Sequence, residues 1–129
     1  MRAYAGDLEE WRKAQEADLT SARVTQRAII PAEFPELPDW KFEVRFEPLI
    51  QVGGDIYGWQ RLSDGSWIVW LADGTGHGAT AALLTVLTAH LFRKAAEQSC
   101  SPGDILDSVN REFRVVMAGS TFMTAACAV

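Results

Sequence analysis

Two short stretches of this chain combine acidic side chains with glycines in a pattern that could hold a hard cation. They are Val52-Gly53-Gly54-Asp55 and, further on, Ala72-Asp73-Gly74-Thr75-Gly76-His77-Gly78. Glycines ahead of a carboxylate let the backbone bend and approach a neighbour closely, which aims the acid into a cleft. Glycines behind one open a sharp strand-to-helix loop whose amides and carbonyls can face a ligand, and the helix N-terminus beyond favours an anion such as phosphate. Two carboxylates brought together repel unless protons or cations neutralise them. Taken singly, each stretch reads as a bulge or a glycine-rich connection; together on one hairpin they point to a metal site.

The hairpin that would carry them has strands Asp55–Leu62 and Ser66–Asp73, joined by Ser63-Asp64-Gly65, an Asp-Gly turn signal between alternating apolar runs. Positions 55 and 73 are symmetric about 64. A three-residue loop centred there sets the two aspartates opposite each other on one face, whereas a two-residue loop puts them on opposite faces, because strand side chains alternate with period two. Both faces of the hairpin are largely apolar, with Tyr57, Trp59, Trp67, Val69 and Leu71 on one and Ile56, Leu62, Ile68, Trp70 and Ala72 on the other. The sheet is therefore expected to be covered on both sides. Trp59, Trp67 and Trp70 read as core residues rather than as a ligand platform.

Around the hairpin, residues 7–29 read as a helix of good helix formers, with a thin stripe of Leu8, Trp11, Gln15, Ala22 and Ile29 that suits a connector or a dimer-forming helix. Its first residues, up to about 15, read equally as a solvated tail. Pro31, Pro35 and Pro38 then enforce an extended segment. Trp40–Glu47 alternates Phe42, Val44 and Phe46 against charges, the pattern of a half-buried strand. A helix is expected from Gly78 to Glu97, with Leu83, Leu84, Leu87, Leu91 and Ala95 as its apolar stripe. A second begins at Ser101 as N-cap, Pro102 in its first turn and Asp104 placed for the helix dipole, and buries Ile105, Leu106, Val109, Phe113 and Val116. Phe122–Val129 reads as a further strand.

Composition excludes several classes. The 129 residues make one domain or part of one; 48% hydrophobic and 22% charged residues are ordinary for a globular chain. A net charge of −5 provides no basic field for nucleic acid or anionic lipid. No apolar run approaches the ~20 residues of a membrane span, and residues 1–18 lack the apolar centre of a secretory signal. Cys100 and Cys127 have neither Cys-x-x-Cys pairing nor a zinc-spaced histidine, and read as reduced thiols in a cytoplasmic chain. Gly74 to Ala79 formally fits the dinucleotide fingerprint, but the following helix leads into another helix, and Asp73 would sit beside the pyrophosphate. The Gly-Gly-Asp hairpin of cyclic-dinucleotide synthases is disfavoured because Ile56-Tyr57 stands where an acidic-aromatic pair belongs.

An ordered series of motifs resembles the SpoIIE-type branch of the PPM (protein phosphatase 2C-like) metal-dependent serine/threonine phosphatases over roughly residues 20–129. The series is Gln26-Arg27-Ala28-Ile29-Ile30-Pro31; Phe46-Glu47-Pro48 leading to Val52–Asp55; Ala72–Gly78; Ala81-Ala82-Leu83-Leu84; Pro102–Leu106 with Asn110; and Phe122-Met123-Thr124-Ala125. The resemblance implies an α+β fold: the N-terminal portion of an α-β-β-α layered sandwich, mainly antiparallel sheet with two helices packed on it, preceded by a linker helix. Residues 1–29 would be that regulatory linker and 30–129 a partial phosphatase domain. It also implies hydrolysis of phosphoserine or phosphothreonine by water activated between two Mn²⁺ or Mg²⁺ ions. Asp55 would bridge the ions, Asp73 would ligate one directly or through water, and the Gly74 carbonyl would supply a further oxygen; all-oxygen ligation suits these ions. His77 is a candidate general acid or an organiser of the loop, while His90 reads as a helix-face residue.

The family's later half supplies further strands and two more metal-binding aspartates, and no Asp follows Asp107 here. The chain is therefore expected to carry half of the metal shell, to be inactive or weakly active alone, and to be either a fragment or one copy of a homodimer or swapped assembly. The implied partner is a phosphorylated regulatory protein, such as an anti-sigma-factor antagonist in bacterial partner switching. The alternative is a non-catalytic module in which helix 7–29 and the open sheet mediate dimerisation.

Overall fold

The computed structural model describes residues 2–47, 52–117, 119 and 121–129. Pro48, part of the motif series above, lies outside the described residues. The order of elements is α1 (Arg2–Ile29), β1 (Asp55–Arg61), β2 (Trp67–Gly74), α2 (Gly78–Gln98), α3 (Pro102–Val116) and β3 (Met123–Ala128). The strands form one antiparallel sheet in the order β1-β2-β3. This is the expected α+β arrangement.

The hairpin closes by the three-residue route. The Gly65 amide donates to the Leu62 carbonyl at 3.0 Å and the Leu62 amide donates to the Ser66 carbonyl at 2.8 Å. Gly65 has φ 89°, which a side chain would resist, and this combination of a turn and a left-handed glycine is the standard three-residue hairpin loop. Asp64 Oδ1 accepts from both the amide and the hydroxyl of Ser66, at 2.9 and 2.6 Å, which fixes the turn further. With the loop set, the register runs from Arg61↔Trp67 to Asp55↔Asp73.

One face of the sheet is the core side. Ile56, Leu62, Ile68, Trp70 and Ala72 pack with Leu84, Leu91 and Phe92 of α2 and with Ile105, Val109 and Phe113 of α3. Trp70 and Phe92 stack at 4.4 Å between ring centroids and 2° between planes. The start of α3 follows the sequence reading: Ser101 Oγ accepts from the Asp104 amide, and Pro102 occupies the first turn. In α2, however, Leu83 faces solvent, as does Val116 in α3. Each is the edge of a stripe that is narrower than its leucine and valine content suggests, because two helices share one three-stranded sheet.

The opposite face is covered only in part, contrary to the two-sided coverage that its composition suggested. Residues 31–47 cross it as an irregular strap. Phe34 stacks on Trp59 at 3.7 Å, Phe46 meets Tyr57 edge-on at 5.3 Å, and Trp59 Nε1 donates to the Glu33 carbonyl at 2.8 Å. Residues 41–47 are not a strand, despite their alternation. Phe42 stacks on Phe34 and Trp40 within the strap, only Phe46 reaches a β1 side chain, and the backbone of 41–47 joins no ladder. Beyond the strap the face is open: Leu71 is 61% exposed, and a 510 Å³ groove is lined by Leu37, Trp40, Phe42, Trp67 and Val69 among others.

The helix α1 starts earlier than residue 7 and divides in two. Leu8 and Trp11 are 74% and 72% exposed, and Arg12 bridges Glu9 and Glu16 one turn to either side, which supports an unpacked helix. Its C-terminal end docks on α2. Among the described residues no helix is long and apolar enough to cross a membrane. Cys100 and Cys127 are both free thiols.

Candidate metal centre

Asp55 begins β1 and Asp73 lies one residue before the end of β2, and they are direct cross-strand partners. The pair is of the non-hydrogen-bonded kind. Gly74 N–H donates to the Gly54 carbonyl at 2.9 Å, so the ladder bonds belong to Gly54 and Gly74, one position beyond. In such pairs the side chains are at their closest, with Cα atoms about 4.5 Å apart. Both carboxylates are exposed and share the strap side of the sheet, away from the core. Partial burial, then repulsion from the Asp73 carboxylate and a hydrogen bond to it, push the Asp55 carboxyl above its ordinary range. Among the described residues no lysine or arginine pairs with either acid, the five ion pairs lying elsewhere.

Glycine is required where the strands meet behind the acids. A Cβ on Gly54 would run into the Gly74 carbonyl oxygen. The two backbones therefore approach more closely here than a side chain at position 54 would allow, while the carboxylates stand on one face. After Gly74 the chain turns through Gly76 and Gly78, with φ of 99° and 69°, into the N-terminus of α2. The loop is tied to the third strand twice: the Thr75 amide donates to the Phe122 carbonyl at 3.0 Å, and Thr75 Oγ1 accepts from the Phe122 amide at 3.3 Å.

His77 occupies the N-cap position of α2 in extended backbone, exposed, and its side chain makes no capping hydrogen bond. His90 is exposed on the helix face. Trp59 and Trp70 are buried as core residues, and Trp67 is half-buried at the strap-side groove. Among the described residues no three His, Cys, Asp or Glu side chains gather closely enough to hold an ion. The chain thus brings together two carboxylates and a nearby carbonyl, a set of hard oxygens that fits Mn²⁺ or Mg²⁺ in part and falls short of a closed site.

Three residues near these groups have no functional role in the sequence reading. Thr124 is the cross-strand partner of Asp73 on β3, completing a row Asp55–Asp73–Thr124. Gln26 of α1 and Thr85 of α2 are buried polar residues, Gln26 donating both to the Gly53 carbonyl and to the Thr85 hydroxyl. Gln26 and Thr124 fall inside quoted motifs, so a signal existed; Thr85 sits among leucines and offers none.

Three helices with a three-stranded antiparallel sheet match a fragment of a protein phosphatase 2C domain. A solved structure titled "SiaA-PP2C domain of Pseudomonas aeruginosa" is similar with a TM-score of 0.73 and 27% identity, covering 90% of this chain and 48% of that one. The chain therefore spans about half the length of that structure, and the likeness is to the N-terminal part of a PPM-type domain. The family model for Stage II sporulation protein E (SpoIIE) matches residues 63–129, just over half of the chain, which belongs to the SpoIIE family. Comparison with curated proteins finds no match.

Proposed function

We propose that this chain supplies the Asp55–Asp73 half of the metal centre in a PPM-type serine/threonine protein phosphatase. Residues 1–29 act as its linker helix and 30–129 as the first part of its catalytic domain. The observation that carries the reading is the close cross-strand pairing of two exposed carboxylates on a glycine-flanked hairpin end. Their mutual repulsion is relieved by a divalent cation, for which Asp55, Asp73 and the Gly74 carbonyl would be the ligands. Mn²⁺ or Mg²⁺ bound there would supply Lewis-acid activation for phosphoester hydrolysis. The chain's own contribution is to hold two anionic ligands at fixed spacing beside the α2 N-terminus, where a phosphate group is favoured.

The substrate would be a phosphoserine or phosphothreonine on a small regulatory protein in bacterial signalling, such as an anti-sigma-factor antagonist. The test is Mn²⁺-dependent release of phosphate from a phosphopeptide by the chain and by Asp55→Ala. Activity lost in the variant supports the proposal, whereas equal activity in both refutes the role of Asp55. A second reading is favoured by the open apolar face around Leu71 and by the unpaired edge of β3 among the described residues: a dimerising or swapped module. A monomer by native mass measurement would exclude it.

A further inference from the structure

Gln26 is 5% exposed and Thr85 1%, and they form a small polar network between α1 and α2. Gln26 Nε2 donates to the Gly53 carbonyl and to Thr85 Oγ1, both at 2.8 Å. The Thr85 hydroxyl in turn donates to the Ala82 carbonyl at 2.7 Å. Both protons of the Gln26 amide are thereby used, and the amide can face only one way round, since two acceptors surround it. A buried polar side chain spanning 27 residues of sequence would be costly to retain as mere filler, because an apolar residue of the same length would pack there without desolvation.

What the network holds is the segment just ahead of the paired acids. Val52 is fully buried and pins the segment's depth, but burial is non-directional. The bond from Gln26 is directional: it fixes the orientation of the Gly53–Gly54 peptide, and Gly53 and Gly54 are the residues with the least intrinsic backbone preference in the segment. Gly54 then accepts from Gly74 N–H, and the next residue is Asp55. We propose that Gln26 is a positioning residue that locks Gly53 so that Asp55 stays in register opposite Asp73. The inference rests on the reading of Asp55 as an ion ligand. It adds that the ligand's placement is set by the linker helix α1.

Two variants and one control test it. Gln26→Met keeps length and packing but removes both donated bonds. Thr85→Val removes the second acceptor that orients the same amide without altering α1. Val109→Ala weakens the core at α3, away from the hairpin end. Amide hydrogen exchange without metal is read at Gly74, bonded to Gly54, and at Leu62, bonded to Ser66 at the other end of the hairpin. Gln26→Met is expected to speed Gly74 exchange about tenfold relative to Leu62, and Thr85→Val to do so by less. Val109→Ala should speed both alike. Mn²⁺ affinity, read from paramagnetic broadening at Asp55 and Asp73, should fall about tenfold in Gln26→Met, as for other residues that orient a metal ligand.

Equal acceleration at Gly74 and Leu62 in Gln26→Met overturns the proposal, as does an unchanged Mn²⁺ affinity. If the wild-type chain shows no Mn²⁺ broadening at all, the metal reading fails by itself. The exchange ratio then still decides whether Gln26 sets the register of Asp55.

Discussion

Removing the charge of Asp55 should stabilise the metal-free chain at neutral pH and abolish its stabilisation by Mn²⁺. The magnitude follows from the hairpin register. Asp55 and Asp73 are a close cross-strand pair, and for charge centres taken as about 5 Å apart Coulomb's law in water gives about 0.8 kcal/mol of repulsion. A less polar surrounding of effective dielectric 20 would give about 3 kcal/mol, but both side chains are exposed and the lower figure applies. The folded protein holds the Asp55 proton more tightly than the unfolded chain does. Stability from this group is therefore complete below the unfolded value, about pH 3.9, and is lost as pH rises through the raised folded value. Asp55→Asn has no such loss.

With a chelator present, Asp55→Asn should melt about 3 to 5 °C above wild type at pH 7, with the gap closing as pH falls to 3.5. Adding Mn²⁺ to ten times its dissociation constant should raise wild type by about 1.4 kcal/mol and leave the variant unmoved, reversing the order. Scanning calorimetry at four pH values, with and without Mn²⁺, measures both effects. A variant less stable than wild type in chelator at pH 7 would show that Asp55 makes a favourable contact in the fold, and the repulsion argument would fail.

Asp64 should show the opposite pH slope. The Ser66 hydroxyl and amide hold its carboxyl below the ordinary range, so its contribution is present above the unfolded value and disappears as pH falls through the folded one. Asp64→Ala should accordingly lower the melting temperature at pH 7 and leave it unchanged near pH 2, by the same calorimetry. Gly54→Ala forces a methyl group against the Gly74 carbonyl and should cost about 2 kcal/mol or more in urea denaturation, with Mn²⁺ broadening at Asp73 lost. Phe92→Ala removes the ring stacked on Trp70 at the centre of the core and should cost about 3 to 5 kcal/mol in the same titration.

The elements that sequence made legible are those whose signals are local. The hairpin register needed only the Asp-Gly turn and the symmetry of 55 and 73 about 64. The start of α3 needed only Ser101, Pro102 and Asp104, each acting within one turn. Where the reading departed from the structure, the deciding partner was distant in sequence. Trp40–Glu47 has strand alternation, but an alternating segment becomes a strand only beside a free edge, and here Phe42 stacks on Phe34, which stacks on Trp59, while Phe46 meets Tyr57 edge-on. Leu83 looked like part of the α2 stripe because leucine content does not say how wide a face the sheet can cover. The role of Gln26 is invisible in its motif, since its two acceptors lie on Gly53 and Thr85, distant in sequence.

The same register arithmetic ties the site to the open face of the sheet. Ile56, Trp70 and Ala72 must face α2 and α3 to make a core at all, which places Asp55 and Asp73 on the other side. A slip of one residue would turn one strand over, separating the two acids and burying one of them under the helices at a cost of several kcal/mol or so. Ions or partners that reach the carboxylates must therefore approach across the surface that holds Leu71, with the strap's aromatic cluster flanking it. On the proposed reading, a chain segment that covered this face would sit beside the acids and could add ligands to them. Leu71→Asp would test this by charging the cover's landing surface while leaving both ligands in register. Such a variant should keep the melting temperature of the chain, since Leu71 faces solvent, and lose association with a covering copy or segment in sedimentation. Association unchanged by that charge would mean the cover does not lie across Leu71.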